Sequence, residues 1–151
     1  PAGIIELIER SKIQTEGKKC LVIGRSQIVG RPISILLSQN KIFGNSTVTV
    51  AHSWTSNLQE LCLESDLIIS AIGNPEFIKG DMVKKGSTII DVGITRVDDS
   101  SSHKGYRIAG DVDFNSVSSR VGFITPVPGG VGPMTIAMLL KNTLKACSLS
   151  D

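Results

Sequence analysis

Aromatic side chains are scarce in this chain of 151 residues, at 4 % of the composition, and neither sign of charge dominates. The formal net charge is only +2, and the lysines and arginines are scattered along the chain. Because nucleic-acid-binding domains cluster their basic residues, this pattern argues against a nucleic-acid partner. No apolar run reaches the length of about 20 residues that spans a bilayer, and no signal peptide is visible, so we expect no membrane partner.

Cysteine is rare as well. Cys20, Cys62 and Cys147 are odd in number and widely spaced, and the first two lie within apolar stretches. This pattern is not that of a disulfide framework or a zinc site, and it indicates structural thiols in a reducing compartment. We therefore expect no metal and a cytoplasmic location, with a mitochondrial or other organellar location left open.

Aliphatic residues make up most of the 40 % of the chain that is apolar, and short β-branched runs alternate with amphipathic ones. The predicted strands are 20–23, 47–51, 66–71, 88–92 and 123–124. The predicted helices are 2–9, 28–39, 57–63 with Asn57 as its cap, a short one within 111–119, and 133–146. This alternation predicts an α/β fold, a Rossmann-like, doubly wound and mainly parallel sheet in three layers. The polar stretch 96–105 is interpreted as a surface loop or hairpin tip.

Residues 125–135 hold three prolines and three glycines just before an apolar helical pattern. Proline stiffens the backbone, and glycine lets a ligand approach it closely. A loop of this kind that ends at a helix start offers bare N–H groups to a ligand, and Pro133 suits the first helical position. The alternative interpretation is a well-made interdomain turn.

The loop after the first strand keeps only Gly24 and Gly30 of a dinucleotide-binding pattern, which by itself is weak evidence. Many NAD enzymes end the second strand with a carboxylate that holds the ribose hydroxyls, but here no carboxylate follows that strand. Arg25, Ser26 and Ser53 instead offer a guanidinium and two hydroxyls, which suit a phosphate and favour NADP over NAD. The alternative is a surface arginine with helix-capping serines.

Taken together, these motifs are similar to those of one known family. The stretches that carry the resemblance are 24–32, 47–49, 52–55, 91–94, 110–112 and 126–135. In this order they closely resemble the cofactor-binding domain of the methylenetetrahydrofolate dehydrogenase/methenyltetrahydrofolate cyclohydrolase family, and the resemblance covers nearly the whole chain.

The resemblance implies an activity and a set of site residues. The family oxidises 5,10-methylenetetrahydrofolate with NADP⁺, and bifunctional members hydrolyse the methenyl product to 10-formyltetrahydrofolate. The residues that it implies for NADP are Gly24, Arg25, Ser26, Ser53, Ile94, Gly132 and Thr135. The residues that it implies for the loop against the folate are Pro128, Gly129, Gly130, Val131, Gly132, Pro133, Met134, Thr135 and Ile136.

The resemblance also implies that this chain lacks the catalytic residues. The family's catalytic lysine lies in an N-terminal domain that precedes Pro1, so no residue here is expected to be catalytic. We interpret residues 1–151 as one NADP-binding domain that is linked to the absent domain by the segment from Pro1 to Ser11 and by the last helix. A processed or cloned N-terminus is the alternative. The full-length protein is expected to be a homodimer.

Asp91 and Asp111, at strand ends, are expected to hold turns rather than donate protons. His52 is expected to pack or hydrogen-bond beside the cofactor, and Trp54 either shields the adenine or is a surface aromatic. Two other classes stay open: another NADP-linked dehydrogenase domain, of shikimate or glutamyl type, and a non-catalytic nucleotide-binding module.

Overall fold

The computed structural model describes residues 1–149, in which strands alternate with helices. The strands are β1 (Lys19–Ile23), β2 (Thr47–Ala51), β3 (Leu67–Ser70), β4 (Thr88–Asp91), β5 (Thr95–Asp98), β6 (Tyr106–Ala109) and β7 (Phe123–Ile124). The helices are α1 (Ala2–Arg10), α2 (Gly30–Ser38), α3 (Leu58–Glu64), α4 (Phe114–Ser118) and α5 (Val131–Ser148), with a single 3₁₀ turn at Gly80–Met82.

Five strands form one parallel sheet in the order β2-β1-β3-β4-β7. From β1 the chain adds β2 on one side and then crosses to β3 on the other, so the strand order reverses between β1 and β3. Strands β5 and β6 form a separate antiparallel hairpin. The predicted doubly wound α/β fold is thereby confirmed.

Helices cover both faces of the sheet, which gives three layers. On one face α1 and α2 pack over Cys20, Val22 and Ile69. On the other face α3 and α4 pack over Leu21 and Ile68. Successive residues of β1 thus enter opposite cores, as the alternation of side chains along a strand requires.

Two of the three cysteines lie in the core. Cys20 and Cys62 are free and buried, and Cys147 is exposed. Burial raises the pKa of both buried thiols, to about 12 for Cys20 and about 11 for Cys62, so they stay protonated and unreactive at neutral pH.

Three details of the prediction were wrong or incomplete. Pro133 is the third residue of α5, not the first, because the helix begins at Val131; the first four N–H groups of a helix lack partners, so proline is tolerated there too. Asn57 precedes α3 but makes no side-chain cap bond. Within the polar stretch, only 99–105 is the hairpin tip, since its flanks pair as β5 and β6.

Helices α1 and α5 cross closely. A Cβ on Gly3 would lie 3.2 Å from the main chain of Met134, and Glu6 bonds Lys141 at 3.1 Å and Arg10 at 2.8 Å. These bonds lower the pKa of Glu6. Elsewhere α5 presents apolar side chains to solvent, all about two-thirds exposed: Ile136, Leu139, Leu140 and Leu144. Within residues 1–149, no helix is both long and apolar enough to cross a membrane.

Candidate cofactor site

The carboxyl ends of the five parallel strands meet at one edge of the sheet, where ligands bind in folds of this type. Ile23 and Ala51 are paired in register at the ends of β1 and β2, and the N–H of Gly24 donates to the carbonyl of Ala51 at 2.9 Å. Arg25 and Ser53 each follow two residues after this pair. The register therefore brings both side chains to the same edge of the sheet.

Gly24 and Gly30 are required by the backbone of the β1–α2 loop. Gly24 has a φ of +113°, and a Cβ there would lie 3.0 Å from the main-chain carbon of Ala71, just after β3. A Cβ on Gly30 would overlap the carbonyl oxygen of Gly24. The loop thus folds tightly over the position where the strand order reverses, which leaves no room for side chains beneath it.

This loop exposes several donors. Among residues 1–149, no acceptor is found for the N–H groups of 25–28, and the Arg25 side chain is exposed without an ion pair. Four bare amides next to a guanidinium make an anion-binding arrangement of the kind that cradles phosphates. We call residues 24–30 together with Ser53 the phosphate end of the site.

Ser26 has a structural role in the same loop. Its Oγ accepts hydrogen bonds from the N–H of Val29 at 3.2 Å and of Gly30 at 3.3 Å, just before and at the start of α2. The capping alternative from the sequence is therefore present. A hydroxyl that accepts two bonds keeps its own proton to donate, so capping leaves Ser26 able to bind a phosphate oxygen.

The end of β2 forms a short turn with exposed side chains. The N–H of His52 donates to Thr55 Oγ1 at 3.0 Å, and its Nδ1 accepts from the N–H of Trp54 at 3.2 Å. These bonds orient the turn, so that Ser53 is exposed and the Trp54 ring is 84 % exposed. His52 thus makes hydrogen bonds within its own turn.

A second region of the same edge encloses a cavity of about 300 Å³, which we call the β4–β7 cavity. One wall is formed by 91–94, which follows β4, and the other by 126–133 and Thr135, which follow β7; Ile108 of the hairpin closes a side. Gly129 has a φ of +108°, and a Cβ on Gly130 would lie 2.6 Å from the carbonyl oxygen of Pro126. At these two positions the second wall is therefore bare backbone that only glycine allows.

Asp91 connects the parts of this cavity. The residue is 3 % exposed, and its carboxylate accepts from the N–H groups of Gly93 at 2.9 Å, Asp111 at 3.0 Å and Val112 at 2.9 Å. Burial raises the pKa of this carboxyl to about 6, against the opposing effect of the three donors. At pH 7 it is therefore an anion that holds three loop amides.

Asp111 does the same for a neighbouring loop. It is fully buried and accepts from Ser70 Oγ at 3.2 Å and from the N–H groups of Ile72 at 2.8 Å and Asn74 at 3.0 Å. Both aspartates thus hold turns, as the sequence predicted. Neither donates a proton in these contacts, because all their partners are donors.

The predicted residues divide between the two regions. Gly24, Arg25, Ser26 and Ser53 lie at the phosphate end. The residues that line the β4–β7 cavity are Ile94, Pro128, Gly129, Gly130, Val131, Gly132, Pro133 and Thr135. Met134 and Ile136 lie outside its lining: the main chain of Met134 lies against Gly3 of α1, and Ile136 is 66 % exposed.

The predicted site residues leave out six that line this cavity: Asp91, Val92, Gly93, Ile108, Pro126 and Val127. Val92 ends the predicted strand 88–92 and Gly93 directly follows it, which was a usable signal. Ile108 reaches the cavity from the hairpin, and Thr125 acts through one hydroxyl. No local pattern in the sequence predicts either contact.

A larger cavity, of about 620 Å³, lies at the opposite edge of the sheet between the α1–β1 and α2–β2 loops. It lies at the amino ends of the strands, whereas ligands in folds of this type bind at the carboxyl ends. Among the described residues, no group of three or more His, Cys, Asp or Glu side chains is arranged to hold a metal.

Comparison with known families identifies the type of domain. The model of the tetrahydrofolate dehydrogenase/cyclohydrolase NAD(P)-binding domain matches residues 1–151. The chain belongs to this family. The glycine-built edge of the sheet therefore belongs to a domain whose family is described as NAD(P)-binding.

Members of the family with similar sequences include the bifunctional protein FolD of Flavobacterium johnsoniae, 64 % identical over 97 % of this chain and 50 % of that protein. A solved dehydrogenase–cyclohydrolase from Trypanosoma brucei, complexed with NADP and an inhibitor, superposes with a TM-score of 0.90 at 43 % identity, over 98 % of this chain and 49 % of that one. The enzyme from Campylobacter jejuni superposes with a TM-score of 0.87 at 45 % identity, over 99 % of this chain and 49 % of that one. The chain spans about half the length of the curated relatives it matches.

Proposed function

We propose that this chain is the NADP-binding part of a bifunctional enzyme that oxidises 5,10-methylenetetrahydrofolate to the methenyl form and hydrolyses that product to 10-formyltetrahydrofolate. The observation that carries the proposal is the pairing of two features at one sheet edge. These are a loop of bare amides beside Arg25 and Ser53, and a cavity walled by the glycines of 126–133.

The residues present fit a dinucleotide phosphate. A Cβ at Gly24 would fill the cradle against Ala71, and the amides of 25–28 have no acceptor within the described residues. Gly24 and Ser26 would hold the backbone phosphates and ribose, and Arg25 and Ser53 the 2′-phosphate. The absence of a carboxylate after β2 supports NADP over NAD, because a carboxylate there would repel that phosphate.

The β4–β7 cavity is proposed to hold the nicotinamide, which supplies the hydride acceptor when the cofactor is bound. Ile94, Gly132 and Thr135 would contact the ring, and the loop from Pro128 to Ile136 would separate it from the folate. Side-chain-free backbone lets two rings approach face to face, and hydride transfer depends on that closeness. The second wall carries no acidic or basic side chain, so it orients the reactants rather than reacting with them.

We infer that catalytic side chains are supplied by another part of the full-length protein. No lysine lies in the lining of the β4–β7 cavity. Lys19 pairs with Glu64 at 3.1 Å, and Lys84 with Asp66 at 2.6 Å, as solvated ion pairs away from that cavity. This chain alone is proposed to bind NADP and to leave folate unreacted. The buried thiols support a reducing, cytoplasmic location, and we propose a homodimer for the full-length protein.

The exposed apolar stripe on α5 supports the proposal that another domain packs against this helix in the full-length protein. Ile136, Leu140 and Leu144 recur at a helical spacing of four, so they form one stripe, and each is about two-thirds exposed. Patches of this kind are rare on free surfaces and are typical of packing interfaces. We propose that this stripe, with the segment from Pro1 to Ser11, joins the NADP-binding domain 1–151 to the preceding half.

Replacement of Arg25 by Ala tests the cofactor assignment. The loss of a guanidinium from a phosphate should weaken NADP⁺ binding by about tenfold or more and leave NAD⁺ binding within about twofold. Calorimetric titration of both dinucleotides measures this difference. Arg31→Ala is the matched control, since Arg31 is also exposed but lies within α2. Equal losses for both dinucleotides in Arg25→Ala would mean that Arg25 only supports the fold.

A further inference from the structure

Asp91 touches both walls of the β4–β7 cavity. Its carboxylate holds the N–H of Gly93 in the first wall. Its main-chain N–H donates to Thr125 Oγ1 at 2.8 Å, and Thr125, which is 3 % exposed, begins the segment that forms the second wall. A single buried residue thus connects the two segments whose separation defines the cavity.

Gly110 reinforces the same connection. A Cβ at Gly110 would overlap Asp91 Oδ2 and would lie 2.8 Å from Cγ2 of Val127 in the second wall. The main chain at Gly110 is therefore packed between the carboxylate and that wall. A shift of the carboxylate would be transmitted to Val127 through this contact, because close-packed interiors do not absorb small displacements.

We propose that Asp91 is a positioning residue for the nicotinamide end of the cofactor, because it fixes the separation of the two cavity walls through Gly93, Gly110 and Thr125. The inference rests on the proposed function. It predicts that Asp91 controls binding of the nicotinamide half of NADP, while the adenine half, held at the phosphate end, is bound independently.

Only a carboxylate suits this position. All three partners of the side chain are N–H donors, and an ionised carboxylate is purely an acceptor. Asparagine has the same shape, but its amide group would turn two N–H donors toward at least one of the loop amides. Asp91→Asn therefore changes the hydrogen bonding between residue 91 and the three loop amides, with almost no change in side-chain volume.

The charged groups around Asp91 are few. Asp111 is its nearest ionisable neighbour and raises its pKa further. Across a small adjacent cavity lie Glu76, Arg107 and Asp113, of which Arg107 and Glu76 are paired at 2.9 Å. With a pKa of about 6, Asp91 is ionised at pH 7 and gains a proton in mildly acidic solution.

The test compares two ligands. NADP⁺ reaches both regions, whereas adenosine 2′,5′-bisphosphate carries the adenine end and the 2′-phosphate without nicotinamide. In Asp91→Asn, NADP⁺ should bind about tenfold more weakly, since buried donors lose an acceptor, and the bisphosphate should bind within about twofold of wild type. Asp66→Asn is the matched control, because Asp66 precedes β3 at the far edge of the sheet and should change neither ligand.

Two further measurements keep the test decisive if Asp91→Asn does not fold. Thr125→Val removes the hydroxyl that accepts from the N–H of Asp91, so it should weaken the binding of NADP⁺ and not that of the bisphosphate. Thr125→Ser keeps the hydroxyl and should retain wild-type affinity for NADP⁺. In the wild-type chain, the ratio of the affinity for NADP⁺ to the affinity for ADP-ribose 2′-phosphate should fall as pH drops through about 6. Both of these ligands carry the same pyrophosphate and the same 2′-phosphate, so titration of the phosphates cancels in this ratio.

The outcomes separate the two proposals. A wild-type chain that binds the bisphosphate and NADP⁺, with an equal loss of both ligands or no loss in Asp91→Asn and Thr125→Val, would overturn the positioning role alone. A ratio that does not change with pH in the wild type would do the same. A wild-type chain that binds no NADP⁺ at all would overturn the proposed function and the positioning role with it.

Discussion

The phosphate end and the β4–β7 cavity lie on the same sheet edge but are built in opposite ways. At the phosphate end, Arg25, Ser53 and the amides of 25–28 are exposed and have no acceptor within the described residues. At the cavity, the loops are held by two buried aspartates that each accept three hydrogen bonds. The phosphate end presents free groups to solvent, whereas the loops of the cavity are held in place by buried carboxylates.

The difference fits the ligand chemistry expected at each end. A phosphate is strongly charged, so flexible side chains that are exposed to solvent can bind it. The nicotinamide ring, whose charge is delocalised, must be held at a set distance from its reaction partner, which requires rigid walls. The contrast therefore predicts that side-chain changes act locally at the phosphate end, whereas changes to supporting residues act at the cavity.

The largest expected effect comes from Gly30→Ala, which would disrupt the phosphate end. The new methyl group would overlap the carbonyl oxygen of Gly24 and would lie 2.9 Å from Cα of Arg25. We expect a loss of about 3 kcal/mol or more in the free energy of unfolding, measured by urea denaturation. Gly86→Ala is the control: its φ of +78° costs about 1 kcal/mol, and nothing lies within 4 Å of the added Cβ. Equal losses would contradict the tight loop described for Gly24 and Gly30.

A smaller effect concerns Asp91 and pH, and it sharpens the contrast at the cavity. The folded pKa of about 6 lies above the ordinary 3.8, so the stability that Asp91 contributes is full below about pH 4 and is lost as pH rises through 6. The loss should reach up to about 3 kcal/mol in the free energy of unfolding. Urea denaturation at pH 4 to 7 should reveal this decline in the wild type and not in Asp91→Asn. The same decline in both proteins would assign it to another group.

Together with the predicted change in the affinity ratio, this result would mean that ionised Asp91 lowers the stability of the fold while it strengthens the binding of NADP⁺ in the β4–β7 cavity. Site residues that reduce stability in favour of function are common in natural proteins. The exposed side chains of the phosphate end should lack such a cost, since neither Arg25 nor Ser53 is buried.

The smallest effect distinguishes this chain from the longer protein. Leu140→Ser should change the stability of the 151-residue chain by less than about 0.5 kcal/mol, because Leu140 is 67 % exposed. In the full-length protein the same change should cost more, since we propose that the stripe is buried there. Thermal unfolding of both forms measures the difference. An equally small effect in the two forms would contradict the proposed domain contact.

Much of the fold was predictable because hydrophobic patterns determine it. The runs at 20–23 and 47–51 are continuous and β-branched, and each became a strand with bounds within one residue of those predicted. Strands β5 and β6 were not predicted, because Thr95–Asp98 and Tyr106–Ala109 are half-exposed and mixed in polarity. The first turn of α5 was missed because proline and glycine usually mark loops.

The site was predictable only where residue type carries chemistry. Arg25, Ser53 and the glycine-rich loop stand out in the sequence, and the register of β1 with β2 brings the first two together. The link between Asp91 and Thr125 spans 34 residues and depends on β4 pairing with β7, so no local pattern reveals it. The roles of such long-range contacts became clear only from the three-dimensional structure.

The most direct test of the central claim is the ratio of NADP⁺ to NAD⁺ affinity in the unmodified chain. If Arg25 and Ser53 hold a 2′-phosphate, calorimetric titration at pH 7.5 should give NADP⁺ binding at least about tenfold tighter than NAD⁺. Equal affinity for the two dinucleotides would contradict the account, because the phosphate end would then recognise nothing that distinguishes them.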